Sequence, residues 1–144
     1  MLRVLSILGL VLMAACLLGL WAVRSLFSPL PAVIAVQAAA ACIFIWARLT
    51  FGLRSFHAAA NPTEGGLVTT GPYRFIRHPI YTAACLFAWA GAAAHGTPAG
   101  LAFAAVMTAG AIVRMLCEEQ MVTARYPEYR EYARRTKRMV PFVF

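Results

Sequence analysis

Charge is scarce in this chain of 144 residues: Asp, Glu, Lys and Arg together make up 12% of it. An ordinary soluble domain carries about 25%, so water is a poor candidate for the solvent of most of the molecule. Acids are the scarcer sign, five against thirteen Lys and Arg, which leaves a formal net charge of +8. On a soluble protein that excess would point to nucleic acid, but no basic module studded with aromatics accompanies it, and no nucleic-acid partner is expected. Metal and redox chemistry lack their usual spacing as well. Cys16, Cys42, Cys85 and Cys117 lie far apart in or beside apolar runs and read as buried, reduced thiols. What the chain has in plenty is hydrocarbon: 62% of its residues are hydrophobic and the mean hydropathy is +0.73. The length suits one domain, 1–144.

The apolar residues fall into runs of membrane length. Val4 to Val23 is 20 residues without a charge, bracketed by Arg3 and Arg24, and at ~1.5 Å per residue it matches a hydrocarbon core of about 30 Å. Met13-Ala14-Ala15-Cys16 has the look of a lipoprotein cleavage site, but the run continues past it and suits a retained helix. Ser25 to Ala47 is also free of charge, with Pro29 and Pro31 placed to start a helix. Ile80 to Val113 holds no Lys, Arg, Asp or Glu and is divided by His95-Gly96-Thr97-Pro98, the pattern of a helical hairpin with His95 in its turn. Four spans are expected, at about 4–23, 29–47, 80–94 and 98–117.

Two polar segments remain. Residues 48–79 gather Gly, Pro, Asn and Thr, with turn signals at Asn61-Pro62 and Gly65-Gly66, and a loop of that length is usually functional. The tail from 118 to 144 opens a last helix near Pro127. There Tyr126, Tyr129 and Tyr132 recur every third residue beside Arg130, Arg134 and Arg135, as in an interfacial helix lying against headgroups. Four spans would put the N-terminus, the long loop and the tail on one side. That side collects twelve basic residues and the other only Arg24, which makes the rich side, with both termini, cytosolic. The fold class is therefore an all-α integral membrane bundle of about four transmembrane helices plus a cytosolic interfacial C-terminal helix.

The residues able to do chemistry sit at that cytosolic side. Arg77-His78-Pro79 stands directly before a span, and Pro79 suits the first helical position while biasing His78 to an extended conformation. The free N–H groups of such a helix start can hold a carboxylate, although basic residues before a span are also ordinary anchors. Arg114, Glu118 and Glu119 extend the last apolar helix. Arg114 and Glu118 are one turn apart, as a structural ion pair or as part of a site.

The longer pattern is more specific. Leu67-Val68-Thr69-Thr70-Gly71-Pro72-Tyr73-Arg74-Phe75-Ile76-Arg77-His78-Pro79-Ile80-Tyr81 resembles the signature of the isoprenylcysteine carboxyl methyltransferase family and its phospholipid methyltransferase relatives. A second block, Glu118-Glu119 followed by Tyr126-Pro127-Glu128-Tyr129-Arg130-Glu131-Tyr132 and Pro141-Phe142, resembles it too. The resemblance spans about two thirds of the chain. It implies membrane helices holding S-adenosylmethionine at their cytosolic end, with S-adenosylhomocysteine as product. It implies cofactor contacts at Gly65, Gly66, Leu67, Val68, Tyr73, His78, Pro79, Ile80, Tyr81 and Glu118; Arg77, which with His78 would help that helix start hold a carboxylate, and Glu119, next to Glu118, are expected with them. Glu118 would close the cofactor pocket, and Arg114 would lie near the acceptor and orient it. Two departures stand out: Ala83 where the family often has Gly, and Lys137 where its tails often have Pro.

The expected chemistry is an SN2 methyl transfer that needs alignment rather than a covalent nucleophile. The acceptor is lipophilic, with a prenyl-cysteine carboxylate, a phospholipid amine and an apolar thiol or acid all open. The short chain and Ala-rich helices suggest a bacterial inner membrane, with membrane lipids as neighbours; small residues such as Gly91 and Ala94 are candidates for helix pairing. Two rivals stand beside this reading. An NADPH-dependent sterol or steroid reductase carries a related Arg-His-Pro-x-Tyr stretch, but Ile80, Thr82 and Ala83 fit it poorly. A non-enzymatic membrane scaffold explains the basic loops but not the order of residues from Leu67 to Tyr81.

Overall fold

The computed structural model describes residues 1–52, 66–141 and 143, and these build an all-helical molecule. Its elements are α1 (Leu2–Ala22), α2 (Pro31–Phe51), a 3₁₀ turn (Gly71–Arg74), α3 (Pro79–His95), α4 (Pro98–Arg125) and α5 (Tyr129–Arg135). Local chemistry explains most of the boundaries. Pro31, Pro79 and Pro98 each occupy the start of a helix, where a missing N–H does no harm. Thr97 caps α4 by accepting from the Gly100 amide at 3.1 Å. Gly52 and Gly96 end α2 and α3 with positive φ angles, 67° and 62°.

Three helices, α1, α2 and α4, are long and apolar enough to cross a membrane. At 17 residues α3 is shorter, about 25 Å at the usual rise. Large apolar side chains line the outside of α1 and α2, among them Leu8, Leu18 and Trp21 on α1 and Ile34, Ile45 and Leu49 on α2, all exposed. In water such a surface would associate or aggregate; in lipid it is the ordinary exterior.

The helices stand in the order α1, α4, α3, α2, each packed on the next. Gly19 of α1 lies against Phe103 of α4, and Ser6 lies against Arg114, so the two helices run antiparallel. Their seam and that of α3 enclose a core of Met13, Cys16, Leu20, Cys85, Ala88, Met107, Ala111 and Met115. At the far end the α1–α2 connection presses its backbone onto α3: a Cβ on Gly91 would sit 2.1 Å from the Leu26 carbonyl oxygen. Gly91 thus serves packing inside the chain. Gln37, a buried amide within α2, donates to the Leu26 carbonyl at 2.7 Å and to the Phe87 carbonyl at 3.3 Å, while Ser25 meets the Thr97 hydroxyl at 3.0 Å. His95, at the end of α3, donates from Nε2 to the Phe27 carbonyl at 2.7 Å, a turn-fixing contact.

The polar segments differ most from expectation. α2 runs on to Phe51 and α4 to Arg125, because a helix that leaves the apolar zone can carry charges without penalty. α5 begins two residues beyond Pro127. Its tyrosines do not form an outward face for headgroups. Tyr129 is buried and Tyr132 half-buried against the protein, and the outer face belongs to Arg130, Glu131, Arg134 and Arg135. The reason is hydrogen bonding: the Tyr132 hydroxyl donates to the Tyr73 carbonyl at 2.6 Å, and inside is where that acceptor lies.

Candidate functional site

The end of α4 projects a basic and two acidic side chains into the space between α1, α3 and the tail. Arg114 is buried, with 6% of its surface exposed. Burying a guanidinium is costly unless every side of it is met, and this one is met on several. Its Nε lies 3.1 Å from Glu118 Oε1 and donates to the Tyr81 hydroxyl at 2.6 Å, while Nη1 donates to the Ser6 carbonyl at 3.0 Å. The Tyr81 hydroxyl in turn donates to Glu118 Oε1 at 2.5 Å. Glu118 is the more accessible end of this chain of bonds, with 21% of its side chain exposed against 7% for Arg114.

His78 stands where the two acids meet. As the N-cap of α3 it has φ −126° and ψ 55°, off the helical region as Pro79 requires. Its ring stacks on Tyr81 with centroids 5.6 Å apart. Nε2 is 3.3 Å from Glu119 Oε1, and Nδ1 is 3.9 Å from Glu118 Oε2. The N-cap residue His78 makes no side-chain cap bond to the first turn of α3, and beyond Pro79, which has no N–H, the amides of that turn are placed to bind an anion.

Glu119 ties three segments together. Oε1 accepts from Arg77 Nε at 2.8 Å, and Oε2 accepts from Arg138 Nε at 3.0 Å. Arg77 also donates from Nη1 to the carbonyls of Ala133, at 2.9 Å, and Thr136. The tail continues as a strap alongside the loop. The Arg77 amide donates to the Lys137 carbonyl at 2.8 Å, the His78 amide to the Arg138 carbonyl at 2.9 Å, and the Thr82 hydroxyl to the Met139 carbonyl at 2.8 Å. Lys137 takes part through its backbone, in a parallel bridge with Ile76. Burial pushes the Tyr129 phenol up from its ordinary value, with the Glu119 charge adding to it. Burial also pushes Tyr132 up to about 12. Both remain neutral hydrogen-bond donors at any physiological pH.

The 3₁₀ turn is anchored on the end of α2. Gly71 has φ 57° and passes so close to Thr50 that a Cβ would meet its hydroxyl at 2.5 Å, while Tyr73 packs its ring on Phe51 at 5.5 Å. Burial raises the Tyr73 phenol too, and the nearby Tyr132 and Glu118 raise it further. Beside this anchor lies a groove of about 490 Å³ lined by Thr50, Phe51, Gly52, Leu67, Val68, Thr69 and Thr70.

Tyr81, His78, Pro79, Arg77, Arg114, Glu118 and Glu119 are therefore gathered at one end of the helices, with Ile80 half-buried on the first turn of α3. Tyr73 is joined to them through Tyr132 and the tail. Leu67 and Val68 instead line the groove at the end of α2, with Gly66 just before them. Gly65 lies outside the described residues. Ala83 is buried at 2% exposure, where a small residue suits close helices. Ser6, Ala133, Thr136, Arg138 and Met139 are participants that sequence reasoning missed. Ser6 could have been noticed as a polar residue inside an otherwise apolar span; the others carried no signal beyond membership of a basic tail.

A family model described as phospholipid methyltransferase matches residues 6–129. Neither a curated protein nor a solved structure matches the chain. The matched region takes in α1 through the start of α5, and so every described side chain of the cluster except the tail residues that clasp it. With most of its length matched, the chain belongs to the phospholipid methyltransferase family.

Proposed function

We propose that this chain is an integral membrane methyltransferase that uses S-adenosylmethionine and acts on a lipophilic acceptor at the cytosolic face. One observation carries the reading. Two motif blocks about forty residues apart in sequence, His78–Tyr81 and Arg114–Glu119, meet in one hydrogen-bonded cluster in a chain of a methyltransferase family. In this reading α1 to α4 are four spans of a bacterial inner membrane with both termini in the cytosol. The charge asymmetry of twelve basic residues against one supports that orientation.

The residues at the site fit the cofactor. The uncapped first turn of α3 beside His78 suits the carboxylate of its methionine part. Apart from the cluster, the groove at the end of α2, lined by the Leu67–Thr70 part of the motif, has about 490 Å³, within the ~300–1,000 Å³ usual for small-molecule sites. Glu118, partly exposed at the cluster's edge, would close the pocket and meet a cation. Arg77 and Glu119 would act as a frame: bonded to each other and to the tail, they hold His78 and the start of α3 in place. When bound, S-adenosylmethionine supplies an activated methyl group on a sulfonium.

The chain's own contribution is alignment, which can supply roughly 7–11 kcal/mol of a barrier; a carboxylate acceptor is already ionised at pH 7 and needs no base, whereas an amine head must first give up its proton to water or a carboxylate of the site. Arg114, fixed by Ser6, Tyr81 and Glu118, presents a guanidinium of defined orientation to the acceptor's polar head. Lipid-exposed helices let an acceptor's hydrocarbon arrive from the bilayer. The test is transfer of a tritiated methyl group from S-adenosylmethionine into vesicles of phosphatidylethanolamine and phosphatidylglycerol by the reconstituted protein, with NADPH consumption followed in parallel. Label in extracted lipid or in an added prenyl-cysteine analogue supports the proposal. NADPH consumption without methyl transfer would replace it with a reductase.

A further inference from the structure

By sequence α1 is an anchor, an apolar run that the motifs do not touch. Its first turns nevertheless reach the buried guanidinium. Ser6 is fully buried, and its carbonyl accepts from Arg114 Nη1 at 3.0 Å. A backbone carbonyl has two lone pairs, so it can serve the helix and a side chain together. The Ser6 hydroxyl finds no partner among the described residues. The contribution of this residue is thus its carbonyl and its small size.

The distance between α1 and α4 is set one turn away. A Cβ on Gly9 would lie 2.9 Å from the Gly110 carbonyl oxygen and 3.2 Å from Arg114 Cβ, and a Cβ on Gly110 would lie 3.2 Å from the Gly9 carbonyl oxygen. Two glycines facing each other let the backbones approach as close as helices in lipid do. Arg114 is four residues beyond Gly110 and Ser6 three before Gly9, so in antiparallel helices the close approach brings the Ser6 carbonyl over the guanidinium. A guanidinium is planar. Held at Nη1 by α1, it can aim Nε at the Tyr81 hydroxyl, 2.6 Å away, and at Glu118, 3.1 Å away.

We infer that the Ser6–Gly9 turn of α1 is a positioning element for the reaction, fixing the Arg114 guanidinium toward Tyr81 and Glu118. The inference deepens the methyltransferase reading and rests on it. α1 then does more than hold the chain in the membrane.

The experiment compares Gly9→Ala with Gly19→Ala in the full-length reconstituted protein. Both add a methyl group to the α1–α4 seam, and at Gly19 it would meet the Phe103 ring at 2.6 Å, far from Arg114. Gly9→Ala should lower methyl transfer to the phosphatidylethanolamine vesicles by about tenfold or more, since small misplacements of an aligning group are costly. Binding of S-adenosylmethionine should stay within about threefold, and Gly19→Ala should keep activity within about threefold whatever its thermal stability. In an Arg114→Ala background Gly9→Ala should add nothing. Equal losses for the two glycine variants, or a full tenfold loss that persists without Arg114, would overturn the inference. Should the wild type bind no S-adenosylmethionine, the functional reading fails by itself. The same cycle is then read in thermal unfolding, where strictly additive effects of Gly9→Ala and Arg114→Ala would overturn the positioning contact.

Discussion

Replacing Glu119 by glutamine keeps the size of the side chain and removes the charge on which the tail is fastened. The wild-type carboxylate accepts from Arg77 at 2.8 Å, from His78 at 3.3 Å and from Arg138 at 3.0 Å, with 13% of its side chain exposed. Breaking a buried ion pair by removing one partner costs about 3–5 kcal/mol. Arg138 is itself 35% exposed and water would replace part of its bond, so about 2–3 kcal/mol is the reasonable loss. At about 1.4 kcal/mol per factor of ten, the strap formed by residues 129–139 should open roughly 30- to 140-fold more often. Amide exchange in detergent reads this directly. The amides of Arg77 and His78, which donate to Lys137 and Arg138, should lose protection in Glu119→Gln. Those of α1 beyond Gly9 and of α4 up to Gly110, which run away from the site, should not. Unchanged exchange at 77–78, or an equal loss throughout the molecule, would refute the assignment of Glu119 as the fastening point.

Two further outcomes follow from the packing and from the tail. Gly91→Ala places a methyl group 2.1 Å from the Leu26 carbonyl oxygen, and backbone there cannot yield cheaply. Unfolding stability should drop by about 3 kcal/mol, with Ala94→Gly, on the exposed part of the same helix, as the comparison. Tyr132, with its phenol raised by burial to about 12 from 10.0, favours the neutral form in the folded tail. Its stabilising contribution is therefore fully present below pH 10 and is lost as the pH rises through about 12. Exchange protection at 77–78 should stay flat up to pH 10 after correction for intrinsic rates and fall above it, and the fall should be smaller in Tyr132→Phe, where Tyr129 carries what remains.

The membrane helices were legible because lipid imposes one simple demand, a run without charge, and Val4–Val23 and Ser25–Ala47 meet it. Pro79, Pro98 and Gly96 marked the hairpin for reasons of backbone geometry alone. Helix ends outside the apolar zone obey no such demand, and α4 ran on to Arg125 through residues that composition assigned to the tail. The tyrosine spacing of α5 was visible, but the side it faces depends on where the Tyr73 carbonyl lies, a matter of three dimensions. The same holds for the site. Arg114 and Glu118 could be paired from their spacing on one helix, whereas Tyr81 between them, Arg138 on Glu119 and the Ser6 carbonyl on Arg114 all join segments far apart in sequence. A backbone acceptor such as that carbonyl leaves no mark in the amino-acid sequence.

The most direct test of the account is calorimetric binding of S-adenosylmethionine and S-adenosylhomocysteine to the detergent-purified protein, with Glu118→Ala as comparison and NADPH as control. Both sulfur compounds should bind the wild type, Glu118→Ala should weaken them by about tenfold or more, as expected when a charge-assisted contact is lost, and NADPH should not bind. A folded wild type that binds neither sulfur compound would contradict it.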